Sequence, residues 1–202
     1  MGSLKALVII ADGVSTTEII PPIDMLRRVN IFVTVAGVDG PQPVKADSDV
    51  MIAPDSSLDD ALKKGPYDVV ILPGSEQCSY LVAQSKQAAE FVSAHAAEKK
   101  IVGALGFGCV TLVNFGVGKG KKISASPFYE GIVKNMDKNK EWTFVENENL
   151  IFDGNIITTK GGLYAMDFAF DLLQKLVGKK AADELAQFVI HTRNPGKKYA
   201  CA

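Results

Sequence analysis

Thiols and imidazoles are scarce in this chain of 202 residues. It has three cysteines, Cys78, Cys109 and Cys201, and two histidines, His95 and His191. The cysteines have no paired spacing and no histidine beside them, which excludes a disulfide framework and a zinc site. An odd number of lone thiols suits a reducing compartment. Charge of one sign is also lacking: the net charge is −1 and the pI about 6.1. No electrostatic case exists for nucleic acid or an anionic membrane surface as a partner. Long apolar runs are missing as well. The first, Ala6 to Ala11, spans only six residues, too short for a secretory signal, and nothing later could span a bilayer. Cys201, one residue from the end, does not form a four-residue prenylation box. The expectation is a cytoplasmic protein with no membrane or nucleic-acid partner, no metal and no organic cofactor.

With 47% hydrophobic and 22% charged residues, the composition is that of an ordinary globular protein. No repeat, linker or low-complexity segment interrupts it. One domain over residues 1–202 is expected, with 191–202 a loose polar tail. Leu4 to Ala11 and Tyr67 to Leu72 are near-continuous apolar runs, as in central parallel strands covered on both faces. Ile101 to Leu105 is a third such run, leading through Gly106-Phe107-Gly108 into an apolar helix from Cys109 to Phe115.

Between these strands the pattern is helical. Ser15-Thr16-Thr17-Glu18 opens a helix to about Val29, ended by Asn30 in left-handed geometry. Ile31 to Ala36 reads as a strand, Leu58 to Lys64 as a short helix, and Ser79 to Ala83 and Ser85 to Glu98 as two more. Val44 to Ala53 is ambiguous, with two short strands in a hairpin as one reading. Lys122 to Ser124, Trp142 to Glu146 and Leu150 to Thr159 read as strands, the last broken at Asp153-Gly154. Phe128 to Lys134, Tyr164 to Val177 and Lys180 to Val189 read as helices. Strands alternating with helices indicate an α/β fold, a mostly parallel sheet between helical layers. In such folds ligands collect at the carboxyl ends of the strands. Three strand ends here are rich in turn residues, Asp12-Gly13, Gly74-Ser75 and Gly106-Phe107-Gly108, and should meet in one crevice.

Several residues match a known pattern. Lys5 to Ala11, Glu18, Pro22, Asp24, Arg27 and Arg28, followed by Val33 to Gly37, Gly65 to Gly74 and Gly154 to Gly161, resemble the DJ-1/PfpI family. The resemblance runs from about residue 4 to residue 190. It implies a flavodoxin-like three-layer sandwich and a homodimer whose first helix lies in the interface, where Asp24 and Arg28, spaced i, i+4, either pair on the helix surface or reach across to the mate. It also implies a glyoxalase, deglycase, protease, stress-sensing or chaperone role. An intact family site has a cysteine on the strand-to-helix elbow, a glutamate from the first helix, backbone donors after a Pro-Gly-Gly turn, and often a histidine. Glu18 matches the glutamate and Gly74 the first glycine of the turn. Ser75 stands where the second glycine belongs, Gly106 where the cysteine belongs, and Ser126 where the histidine belongs. The resemblance therefore implies a degenerate site, a binding, chaperone or stress-related role, and a small polar or carbonyl ligand near Gly74, Ser75, Phe107 and Ser126.

Other readings of the same residues stay open. A bare turn can call for glycine on conformational grounds alone. Ser15-Thr-Thr-Glu18 also has the form of a capping box, which would account for the glutamate without catalysis. Cys109, in the first turn of its helix, is either a buried core thiol or a substitute nucleophile activated by the helix N-terminus. Cys78 is either an incidental surface cysteine or an exposed, oxidisable thiol, so a redox sensor acting through Cys109 or Cys78 is one alternative. Another is a cofactor-independent enzyme with Glu18 as general acid/base. His95 falls on a polar helix face and His191 in the tail, so Ser75 and Ser126 have no base for a serine triad. Gly106-Phe107-Gly108 only imitates a dinucleotide fingerprint, and Gly118-Lys119-Gly120-Lys121-Lys122 reads as a solvated turn, not a phosphate loop.

Overall fold

The computed structural model describes residues 3–189. In chain order the elements are β1 (Lys5–Ile10), α1 (Thr16–Arg28), β2 (Phe32–Gly37), β3 (Val44–Lys45), β4 (Met51–Ile52), β5 (Ser56–Ser57), α2 (Leu58–Lys63), β6 (Val69–Leu72), α3 (Glu76–Gln84) and α4 (Lys86–Ala97). There follow β7 (Ile101–Leu105), α5 (Gly108–Asn114), β8 (Lys122–Ile123), α6 (Pro127–Met136), β9 (Thr143–Phe144), β10 (Leu150–Asp153) and β11 (Ile156–Thr159). A 3-10 turn (Gly162–Tyr164), α7 (Ala165–Val177) and α8 (Lys179–Phe188) complete the described chain.

Seven strands form the main sheet in the order β10-β11-β7-β6-β1-β2-β5. Every pairing in it is parallel except β10 with β11. The three apolar runs, β1, β6 and β7, lie side by side at its centre, and Ala6 to Ile10, Val69 to Ile71 and Val102 are wholly buried. Their lack of alternation follows from helices on both faces. On one face α1 packs against α7 and α7 against α8; on the other lie α3, α4 and α5. Gly103 marks where α7 comes close, since a Cβ there would lie 2.9 Å from Cε2 of Phe168. This is the flavodoxin-like three-layer sandwich expected from the sequence. No helix among the described residues is long and apolar enough to cross a membrane.

Local readings fared unevenly. Val44 to Ala53 does contain an antiparallel hairpin, β3–β4. Asn30, with φ of 61°, follows α1 in left-handed geometry. The capping box does not form: Ser15 makes no side-chain cap bond, and its hydroxyl pairs with Oγ1 of Thr17 at 3.1 Å. His95 does not sit on a polar face. The buried stripe of α4 is Ala88, Val92 and His95, an i, i+4, i+7 row turned toward the sheet. Its Nε2 lies 3.1 Å from the Ile101 carbonyl, its ring packs on Phe91, and burial pushes its pKa down. His191, Cys201 and the tail expected at 191–202 lie outside the described residues.

Candidate functional site

The elbow is built by β7 and its two neighbours. Gly106 follows the last residue of β7 and takes φ of 51°, a left-handed conformation that glycine adopts without penalty. Its N–H donates to the Thr159 carbonyl of β11 at 3.1 Å, and its carbonyl accepts the Cys109 N–H at 3.3 Å, which starts α5. Phe107 is buried and held edge-on between Tyr80 of α3 and Tyr129 of α6, with ring centroids 5.5 and 4.5 Å away. Gly74, after β6, is the other fixed point. A Cβ there would come within 2.5 Å of the Gly108 nitrogen and the Leu105 carbonyl oxygen, so the two strand ends can approach only because residue 74 has no side chain.

Glu18 joins these parts. Its α1 position buries it to 6% exposure, and Oε2 accepts the Gly74 N–H at 2.6 Å. Oε1 lies in the space a side chain on residue 106 would occupy; a Cβ on Gly106 would collide with it and sit 3.1 Å from the carboxyl carbon. Burial raises the Glu18 carboxyl from its ordinary 4.5 to about 7. The Gly74 hydrogen bond works against that rise, and the nearby charge of Asp47 adds to it. Glu18 is thus the group at the site that can be neutral or charged around neutral pH.

Two of the three strand ends meet at Glu18, and the third lies against the helix that follows Gly74. Gly74 abuts the start of α5, Gly106 faces Glu18, and the Asp12-Gly13 turn abuts α3, where a Cβ on Gly13 would be 2.7 Å from that of Gln77. Two residues singled out as ligand contacts have structural duties as well. Ser75 caps α3 through the Cys78 N–H, and Ser126 caps α6 through the Phe128 N–H. A fourth strand end was missed. Gly161 and Gly162, after β11, close the site beside α1, with a Cβ on Gly161 3.8 Å from Glu18 Oε1 and one on Gly162 2.9 Å from the Thr17 Cβ. The doubled glycine after the Ile156 to Thr159 run was the signal available in the sequence.

The described cysteines are not at the elbow tip. Cys109 is fully buried, its Sγ donating to the Ser124 carbonyl at 3.2 Å, and burial pushes its thiol up to about 12. Cys78, expected to be exposed, is also fully buried, and burial likewise pushes it up to about 12. Cys78 is buried because, with Ser79 and Val82, it forms the inward stripe of α3. Both sulfurs are protonated and shielded at neutral pH, the opposite of what a reactive thiolate needs. This removes the exposure on which the redox-sensor reading rested. Among the described residues, no group of three or more His, Cys, Asp or Glu could hold a metal ion.

Known proteins share this sequence pattern and this fold. The sequence pattern of the DJ-1/PfpI family matches residues 4–175. A Danio rerio protein, Parkinson disease protein 7 homolog, is 35% identical over 185 residues, covering 92% of this chain and 96% of that one. The crystal structure of Drosophila melanogaster DJ-1beta superposes with a TM-score of 0.89 at 31% identity, over 95% of this chain and 100% of the other. A Caenorhabditis elegans protein named glutathione-independent glyoxalase DJR-1.2 is 26% identical over 168 residues, 83% of this chain and 86% of its own. A matched pattern over most of the sequence and a shared fold lead to one conclusion: this chain belongs to the DJ-1/PfpI family.

Proposed function

We propose that this chain is a DJ-1-like binding protein that takes a small polar or carbonyl compound beside Glu18 and forms no thiol adduct with it. The observation that carries this is the place of the Glu18 carboxyl: Oε1 fills the volume over Gly106 from which an elbow side chain would act. Neutral below about pH 7, that carboxyl can donate a hydrogen bond to a carbonyl oxygen. Above that pH it becomes an acceptor. Neither state supplies the attacking sulfur that covalent catalysis at a cysteine elbow requires.

A second reading has its own support. A buried carboxyl titrating near neutrality is suited to general acid/base work, and one relative carries a glyoxalase name. Methylglyoxal consumption by the purified protein, followed across pH, separates the two. The binding reading predicts turnover at the protein-free background at every pH. A bell-shaped profile around neutrality that Glu18→Gln abolishes would replace it with Glu18-dependent catalysis.

We also infer that a second copy docks along α1. Its exposed side carries Ile20, half exposed, and an Asp24–Arg28 ion pair at 3.0 Å. The Arg28 guanidinium lies 5.9 Å from the ring centroid of the largely exposed Phe188. Ile20 on α1 and Phe188 on α8 are the exposed apolar residues that contact with a symmetry mate would bury.

A further inference from the structure

At the end of the sheet away from the elbow there is a cavity of about 320 Å³, broadly open to solvent. Asn155, whose carbonyl accepts the Val102 N–H at the start of β7, is part of its wall. The elbow follows the other end of β7, five residues along, or roughly 15 Å at the rise of an extended strand. This site is therefore separate from the one around Glu18.

The wall comes from three places: the C-terminal half of α4, the glycine-rich connection between α5 and β8, and the turn between β10 and β11. Ala96, Phe115, Val117 and Ile156 supply its apolar lining, chiefly through the half-buried Ala96 and Phe115. Its acceptors are largely committed. The Phe115 carbonyl takes the Ser93 hydroxyl at 3.4 Å, and the Val117 carbonyl takes the Trp142 Nε1–H at 2.9 Å. The Ala96 carbonyl takes the Asn155 amide at 3.1 Å. The charged residues on the wall are Lys119 and Lys121.

Both lysines have partners, but replaceable ones. Lys119 pairs with Glu141 at 3.0 Å and Lys121 with Asp153 at 3.4 Å, each a partly solvated pair. Such pairs contribute little, so an incoming anion can compete for the cation. The glycines serve this arrangement. Gly116 and Gly118 take φ of 67° and 79° to fold the connection around the cavity. Gly154, at φ of 66°, leaves room for the Lys121 side chain, because a Cβ there would be 2.8 Å from Nζ.

We infer that this cavity binds a small organic anion, with its apolar body against Phe115 and Ala96 and its charged group between Lys119 and Lys121. The volume is within the range of small-molecule sites. The Lys119 to Lys122 stretch is then the cationic half of a binding site as well as a turn.

The test uses the full chain and 8-anilinonaphthalene-1-sulfonate, a sulfonate on an aromatic body, followed by amide NMR shifts. The shifts are expected to concentrate at Gly116, Gly118, Lys121 and Asn155. Affinity should fall at least tenfold in Lys119→Met/Lys121→Met. It should rise severalfold in Glu141→Gln/Asp153→Asn, which frees the lysines while the amide oxygen introduced in place of the Asp153 carboxylate still accepts the Lys122 N–H. Inorganic phosphate, with no apolar body, should bind at least tenfold more weakly. Shifts centred on Gly74, Gly106 and Gly161, or an affinity indifferent to both double variants, would overturn the assignment. Equal affinity for phosphate and the sulfonate would overturn its apolar half.

Discussion

Glu18→Gln should make the protein more stable near pH 8 by about 3 kcal/mol, and change stability little near pH 4. The folded state raises the carboxyl from 4.5 to about 7, so between those values it binds more protons than the unfolded chain. The neutral carboxyl's contribution is fully present below the unfolded value. It is lost as pH rises through the folded one. Each pH unit between the two corresponds to about 1.4 kcal/mol at 25 °C, and the sum is an upper figure because structural relaxation around a charged Glu18 reduces it. Glutamine keeps the acceptor for the Gly74 N–H and never ionises. Urea unfolding of both proteins across pH should show curves that separate above about pH 4.5 and run parallel above about pH 7. Parallel curves throughout would mean that Glu18 titrates as an ordinary surface carboxylate.

Placing a thiol on the elbow should be costly in this protein. Gly106→Cys puts a Cβ where Glu18 Oε1 already sits and forces a side chain onto a residue with φ of 51°. The left-handed conformation costs roughly 1–2 kcal/mol for a residue with a Cβ. Displacing Glu18 from the Gly74 amide adds on the order of 1–3 kcal/mol for a buried hydrogen bond left unmade. In a Glu18→Ala background the second cost disappears, so the two substitutions should be coupled by about 1–3 kcal/mol in a double-mutant cycle. Additive effects would show that the carboxyl does not fill the space over the elbow.

The architecture was readable because its centre is simple. β1, β6 and β7 are buried on both faces, so each is an uninterrupted apolar run whose identity depends on no neighbour. The turn glycines were readable for a related reason: both end strands, and at Gly74 the backbone of the elbow comes too close for a side chain, whereas at Gly106 the space is taken by the Glu18 carboxyl. Glu18 was not readable in the same way. Ser15-Thr-Thr-Glu18 fits a local cap and a long-range contact equally well, and only the packing of α1 against the strand ends sends the carboxyl to Gly74, 56 residues on. Cys78 and His95 were misplaced because their helices, α3 and α4, bury stripes that include polar residues. Composition along such a helix does not say which side faces the sheet. Gly161-Gly162 was passed over because it follows the edge-side strand β11, whose approach to α1 depends on the whole fold.

The Glu18 carboxyl decides what this site can do, and carbon-detected NMR observes it directly. With glutamate side chains labelled at Cδ, the Glu18 resonance assigned through Glu18→Gln should titrate with a midpoint near pH 7, and the Gly106 and Gly74 amide signals should move with it. A midpoint near 4.5, with those two amides unmoved, would contradict the account.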